Sequence, residues 1–174
     1  MPQFASRPLR QVIERTLTLL PDNAWPAWAV STHDDDGRTS RWCDGIPAAI
    51  RCVLLLLLTL RGTPILYYGD EIGMTVPPLN LLRGARRDEE SRTPRDASRT
   101  PMQWNATPGA GFTESPRPRL PLGDSRAANV ETQSVNRGSI LWLVHDLIAL
   151  RRSSRDLTVG ALRFVPSARR QRPS

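Results

Sequence analysis

An α/β fold is predicted by three features of the chain: two short apolar runs of strand character, a long apolar segment of helical length between them, and acidic residues just past the end of each run. Strand, helix, strand in that order is a β-α-β unit, whose crossover makes the two strands parallel and normally right-handed. Parallel strands end on one edge of their sheet, and ligands in such folds gather beyond that edge.

Taken in order, Leu9, Val12, Ile13, Leu17 and Leu20 recur at helical spacing, and Pro21-Asp22-Asn23 ends that helix. Trp28-Ala29-Val30-Ser31 is the first expected strand. It delivers Thr32-His33-Asp34 at its C-terminal end, with the polar loop Asp35 to Ser40 behind. Ile46 to Leu60 is the crossover helix, and Arg61-Gly62-Thr63-Pro64 is helix-stop chemistry: a cation in the last turn, then Gly, then Pro. Ile65-Leu66-Tyr67-Tyr68 is branched, aromatic and apolar on both faces, which fits a buried strand of a parallel sheet. Gly69 bounds it, and Asp70 and Glu71 follow. Thr75 to Asn129 is rich in Pro, Arg, Gly, Ser and Asp, and a loop of that length is functional or disordered. Arg95 to Trp104 is its least random part. Ser139 is the expected N-cap of a helix with Ile140, Leu141, Val144, Leu147 and Ile148 on one face, and Arg151-Arg152 complement its C-terminal dipole. Ala161 to Val165 is read as the start of another strand, and Pro166 to Ser174 as a basic tail.

At 174 residues the chain can bury one sizeable core but is too short for a large enzyme barrel with accessory domains. It carries 24 basic against 17 acidic residues, a formal charge of +7, and every basic residue is Arg. Such an excess raises nucleic-acid binding as a function class. The Arg are scattered as singles and pairs, without a basic helix face or a nucleic-acid motif, so no nucleic-acid partner is predicted. Cys43 and Cys52 lack the paired spacing of a zinc site, and Cys52 is expected to be a buried free thiol. No metal or cofactor is expected; the acidic cluster Asp34-Asp35-Asp36 is read as a solvated loop. The apolar run Cys52 to Leu60 lies between Arg51 and Arg61 and falls far short of the ~20 residues that cross a bilayer. No membrane association is expected, and the absence of an export signal in Met1 to Leu20 favours the cytoplasm.

Three blocks carry a resemblance. They are Trp25-Pro26 through His33-Asp34; Leu58-Thr59-Leu60-Arg61-Gly62-Thr63-Pro64 through Gly69-Asp70-Glu71-Ile72-Gly73-Met74; and Arg95-Asp96-Ala97-Ser98-Arg99-Thr100-Pro101-Met102-Gln103-Trp104, continued by Ala110-Gly111-Phe112. In this order and spacing the chain resembles the α-amylase family of glycoside hydrolases, glycoside hydrolase family 13, in its α-glucosidase and oligo-1,6-glucosidase branch. The resemblance implies the C-terminal portion of a (β/α)8 TIM barrel, its last two strands and helices, with the beginning of a C-terminal β domain. Residues 1–152 would be the partial catalytic domain and residues 153–174 the truncated start of the β domain. The two expected strands would be the seventh and eighth.

By the same resemblance Asp34 matches the family's third carboxylate, which stabilises an oxocarbenium-like transition state. His33 matches a ligand of the glucose in the cleavage subsite. Arg99 matches an arginine that contacts hydroxyls at the far end of the terminal glucose, a task suited to a fork of fixed donors. Asp70 and Glu71 belong to a block that is chiefly architectural in the family, His145-Asp146 is assigned no chemistry, and Trp104 is expected to anchor core or loop. Thr32 stands where relatives commonly carry Asn, Gly37 where they carry Arg, and Arg119 and Ser125 where they carry Trp and Tyr.

No motif for the family's nucleophilic Asp or its acid/base Glu is found. The expectation is therefore a fragment of a retaining glycoside hydrolase acting on an α-glucoside or oligosaccharide, inactive alone. The alternatives are a non-catalytic partner or carbohydrate-binding remnant that completes a barrel with an upstream, N-terminal chain, and an Arg-rich nucleic-acid-binding protein.

Overall fold

The computed structural model describes residues 6–21, 23–34, 39–77, 94–116 and 118–165. Helix α1 (Ser6–Leu19) leads through Trp25 and Pro26 into strand β1 (Ala27–Ala29). A short helix α2 (Thr39–Trp42) precedes the crossover helix α3 (Pro47–Thr59), which begins with Pro in its first turn and ends where Leu60 becomes extended. Strand β2 (Thr63–Ile65) follows. The strands pair in parallel, Ala27 against Thr63, Trp28 against Pro64 and Ala29 against Ile65, as the crossover requires. Further on come 3-10 turns at Asp70–Ile72 and Pro94–Ala97, then helices α4 (Val130–Ser134), α5 (Ile140–Ser153) and α6 (Asp156–Val159).

The core forms where α3 lies on α5. Ile50, Val53, Leu54 and Leu58 recur every three or four residues along one face of α3 and meet Ile140, Val144 and Leu147 of α5, with Cys43 at the margin. A smaller cluster joins Ile72, Met74 and Met102, and Val130 and Leu141 pack against it. The Ser139 hydroxyl accepts from the Trp142 N–H at 3.3 Å, so α5 has the cap its sequence announces.

Several expectations are corrected. Both strands end earlier than their apolar runs: β1 stops at Ala29 rather than Ser31, and β2 occupies Thr63–Ile65 rather than Ile65 to Tyr68. Beyond those points the Tyr67 N–H donates to the Asp70 carboxylate at 3.2 Å instead of to a neighbouring strand, and the Ser31 hydroxyl donates to the same carboxylate at 2.8 Å. Nor is β2 buried, since Ile65 is 49% exposed. The pair is a two-stranded sheet among the described residues, in which each strand has one edge without a strand partner. The anchors of this small sheet are tryptophans: Trp25 Nε1 donates to Thr63 Oγ1 at 2.8 Å and Trp28 Nε1 to the Arg61 carbonyl at 2.7 Å.

Cys52 is exposed and Cys43 is the buried thiol. Position 52 falls between the core positions 50 and 53 of α3, on the side that also exposes Leu55. Burial pushes the Cys43 thiol up to about 11, with smaller contributions from Cys52 and Asp44. Arg151 is no mere complement to a helix dipole. Its guanidinium is buried and donates to the carbonyls of Leu58 at 3.0 Å, Leu60 at 2.8 Å and Leu157 at 3.0 Å, and also to that of Gly62. Burial lowers its pKa from the ordinary arginine value. Ala161 to Val165 forms no strand: this segment runs past the first helix instead, with the Arg10 guanidinium 5.0 Å from the centre of the Phe164 ring. Among the described residues no helix is long and apolar enough to cross a membrane.

Candidate functional site

His33 and Asp34 lie just past the C-terminal end of β1, on the edge that the parallel pairing assigns to ligands. Thr32 Oγ1 accepts from the Asp34 N–H at 3.2 Å, a short side-chain turn that aims the carboxylate out of the strand direction. His33 Nε2 stands 3.3 Å from Asp34 Oδ2.

The third participant arrives from 65 residues away. The turn at Pro94–Ala97 sets Ser98 and Arg99 against the back of the His33-Asp34 loop. Ser98 Oγ and Arg99 Nε both donate to the His33 carbonyl, at 3.3 and 3.1 Å, and Arg99 Nη2 reaches Asp34 Oδ1 at 3.5 Å. The Arg99 fork thus holds the loop backbone with one nitrogen and faces the carboxylate with another. Tyr68 fixes the same segment from below, its hydroxyl donating within reach of the carbonyls of Thr100 at 2.8 Å and Ser98 at 3.3 Å.

The three side chains remain open to solvent, His33 at 64%, Asp34 at 53% and Arg99 at 43% exposure. Beside Arg99 a cleft of about 600 Å³ is walled by Tyr68, Glu71, Met102, Trp104, Phe112 and Arg119 among others. Trp104 is half exposed there, with its backbone N–H on the Ala110 carbonyl, so it anchors the loop by main chain and offers its indole to the cleft. An exposed carboxylate between an imidazole and a guanidinium, beside aromatic walls, presents the mixed donors, acceptors and flat apolar surfaces that suit a polyhydroxylated ring.

Asp70 is unavailable for such contact. It is buried and its carboxylate is saturated by Ser31, Thr39 and Tyr67. Glu71 Oε2 accepts from the Gly69 N–H at 2.7 Å, so the block Gly69 to Gly73 is occupied in building its own turn. Asp35, Asp36, Gly37 and Arg38 lie outside the described residues, as does the Arg95 side chain. Among the described residues no group of three His, Cys, Asp or Glu side chains is placed to hold a metal ion. The Ser98 and Tyr68 contacts are absent from the sequence reading. The signal was present in the tyrosine pair that closes the apolar run, because a Tyr at the end of such a run brings a hydroxyl that can bond a neighbouring loop.

The model of the alpha-amylase catalytic domain matches residues 1–160. The chain belongs to the alpha-amylase family. Relatives include a probable alpha-glucosidase of Rhizobium meliloti, 31% identical over 81% of this chain and 27% of that protein. The trehalose-6-phosphate hydrolase of Escherichia coli is 36% identical over 79% of this chain and 29% of that protein. An amino acid transporter heavy chain of Homo sapiens is 35% identical over 80% of this chain and 19% of that protein. Among solved structures, the trehalulose synthase of Pseudomonas mesoacidophila superposes with a TM-score of 0.77 at 25% identity, over 87% of this chain and 32% of that one. The chain therefore spans less than a third of the length of these relatives, and its α/β architecture is that of a portion of the family's barrel.

Proposed function

We propose that this chain supplies the last two strands and helices of the barrel of an α-glucosidase-like retaining glycoside hydrolase, with β1 as the seventh strand and β2 as the eighth. In this reading residues 1–152 belong to the catalytic domain and residues 153–174 open the following β domain. The observation that carries it is Arg99 Nη2 standing 3.5 Å from Asp34 Oδ1 across 65 residues of chain, with His33 on the other carboxylate oxygen, at the ligand edge of a parallel pair.

The roles follow from chemistry. Asp34 holds a fixed negative charge where positive charge grows on the sugar ring as the glycosidic bond lengthens. His33 and Arg99 bind hydroxyls of the terminal glucose of an α-glucoside or oligosaccharide and keep Asp34 oriented. Hydrolysis with retention also needs a nucleophile and an acid/base placed about 5 Å apart across the bond. Neither Asp70 nor Glu71 is disposed to serve, so these 174 residues alone do not hydrolyse glycosides and depend on a chain segment bearing the first six strands. The cytoplasm is the proposed location.

The test is complementation. The chain is co-expressed with the first six strands of the barrel, taken from the Rhizobium meliloti relative, and release of nitrophenol from an aryl α-glucoside is followed. Turnover that requires both parts and disappears with Asp34→Asn is the expected result. Turnover by the 174-residue chain alone, or restored turnover indifferent to Asp34→Asn, refutes the assignment.

A second reading is favoured by the relative of Homo sapiens, which is described as a transporter heavy chain although it is as similar as the hydrolases. Here the chain is a non-catalytic partner that completes a barrel or retains carbohydrate. Complementation that yields a stable complex without turnover supports it.

A further inference from the structure

We propose that Asp70 is the positioning residue of the His33-Asp34 loop, an inference that rests on Asp34 being the carboxylate of the site. Asp70 is 1% exposed and touches no candidate ligand position. Its Oδ1 accepts from Ser31 Oγ at 2.8 Å, from Thr39 Oγ1 at 2.7 Å and from the Thr39 N–H at 3.2 Å. Its Oδ2 accepts from the Tyr67 N–H at 3.2 Å. Ser31 precedes Asp34 by three residues and Thr39 follows it by five, so a single carboxylate grips the loop on both sides of the acid.

The grip is itself fixed to the core. Asp70 opens a turn bounded by Gly69 and Gly73, both with positive φ, at 88° and 65°. The residues that follow it, Ile72 and Met74, are buried at 1% and 0% exposure. Gly73 lies so close to the α5 start that an added Cβ would stand 2.7 Å from Ile140 Cδ1. The turn therefore cannot slide without repacking the core, and the loop cannot shift without breaking bonds to the turn. A carboxylate fits this task where an amide would not: three donors meet one oxygen and the Tyr67 N–H meets the other, so an amide nitrogen at either place would set its own hydrogens against donors. Ser31 Oγ and Thr39 Oγ1 are also within hydrogen-bond distance of each other, at 3.1 Å, so the two hydroxyls and the carboxylate form one cluster.

The alternative is a staple that stabilises the fold without bearing on the site, and the chain contains its own control. It has two histidines: His33 in the gripped loop, and His145 on α5, where Nδ1 stands 3.1 Å from Asp146 Oδ1 in a comparable local pair. Imidazole carbon and proton resonances of both are recorded in the 174-residue chain and in Thr39→Val, Thr39→Ser and Ser31→Ala. Thr39→Val keeps the buried volume and deletes one donor; Thr39→Ser keeps the donor. Displacement of the His33 signals in Thr39→Val and Ser31→Ala, with parent-like His33 signals in Thr39→Ser and unmoved His145 in all three, is the expected result. His33 signals unchanged in Thr39→Val and Ser31→Ala overturn the proposal. Loss of dispersed signals from both histidines in Thr39→Val also overturns it and leaves Asp70 a staple of the fold. If His33 responds as expected but complementation restores no turnover, the positioning role stands and the glycosidase reading falls.

Discussion

Replacing Arg151 by Met should cost the fold more than any surface change on this chain. The guanidinium donates to four carbonyls, of Leu58, Leu60, Gly62 and Leu157, which belong to the end of α3, the approach to β2 and α6. Met keeps most of the stem volume, so packing is nearly conserved and the loss is that of the charged donors. Hydrogen bonds to a charged group contribute about 1.5–3 kcal/mol each, which four independent bonds would multiply. Burying the cation works against this sum, because removing a guanidinium from water costs several kcal/mol, and the substitution returns that amount. The net expectation is a loss of about 3–5 kcal/mol, since the carbonyls left without a donor cost about 1–3 kcal/mol each and the returned desolvation offsets part of that sum. With a urea slope of about 2 kcal/mol per molar, the unfolding midpoint falls by about 2 M. A parent whose stability lies near the lower bound of about 5 kcal/mol for domains would leave the variant without a folded baseline. Tryptophan fluorescence and far-ultraviolet circular dichroism in urea give the readout, with Arg151→Lys recovering part of the loss through its three donors. A midpoint lowered by less than about 0.5 M in Arg151→Met would show that water reaches those carbonyls and that the buried network does not hold the helix ends together.

Gly62→Ala should lower stability by about 2–4 kcal/mol, because φ is +116° and the new Cβ would lie 2.4 Å from the Pro26 carbonyl oxygen. Gly45→Ala, at φ +70° with its nearest atom 3.9 Å away, should cost about 1 kcal/mol; equal effects in urea titrations would refute the close-approach argument. A disulfide reagent at pH 8 should modify Cys52 rapidly and Cys43 only as fast as the chain opens; equal rates would refute the burial of Cys43. The Cys43 pKa is raised in the folded state, to about 11 from 9.0, so its contribution to stability is complete below pH 9 and is lost as pH rises through 11. Cys43→Ala should remove that alkaline loss, and an unchanged slope of urea midpoint against pH would count against it. Gln103 is wholly buried with neither amide atom paired among the described residues, so Gln103→Met should raise the urea midpoint, and a fall would show that the amide has a partner.

What was legible in the sequence was whatever a short window decides. The cap of α5 is written in Ser139, because backbone conformation at a helix end is set by the few residues there; α3 ends close to its expected stop, but at an extended Leu60, with Arg61 beyond the last turn rather than in it. The parallel pairing was legible for a related reason: a helix of that length between two strands leaves little else for the chain to do. The strand ends were not. Past β2 the Tyr67 N–H is taken by the Asp70 carboxylate, and no property of the apolar runs announces a carboxylate buried between them. Cys52 was misplaced because an almost wholly apolar helix has no polar face to show which side is outward, and α5 decides that from about 90 residues further on.

The two arginines that matter most show where the boundary lies. Arg99 and Arg151 each stand far along the chain from their partners, and helix propensity or charge pattern distinguishes neither from the other arginines. Arg99 was placed because a family motif surrounds it, and the structure brings it to Asp34. Arg151 was read as a dipole partner because a helix-terminal arginine has an adequate local explanation, and the structure gives it four carbonyls instead. A sufficient local explanation therefore does not exclude a tertiary one. The observable that separates them is burial: an arginine serving a helix dipole keeps its head in water, whereas Arg151 is 9% exposed and meets four carbonyls. The same criterion divides the carboxylates. Asp70 is buried and its carboxylate saturated, whereas Asp34 is exposed between His33 and Arg99 at the edge of the sheet.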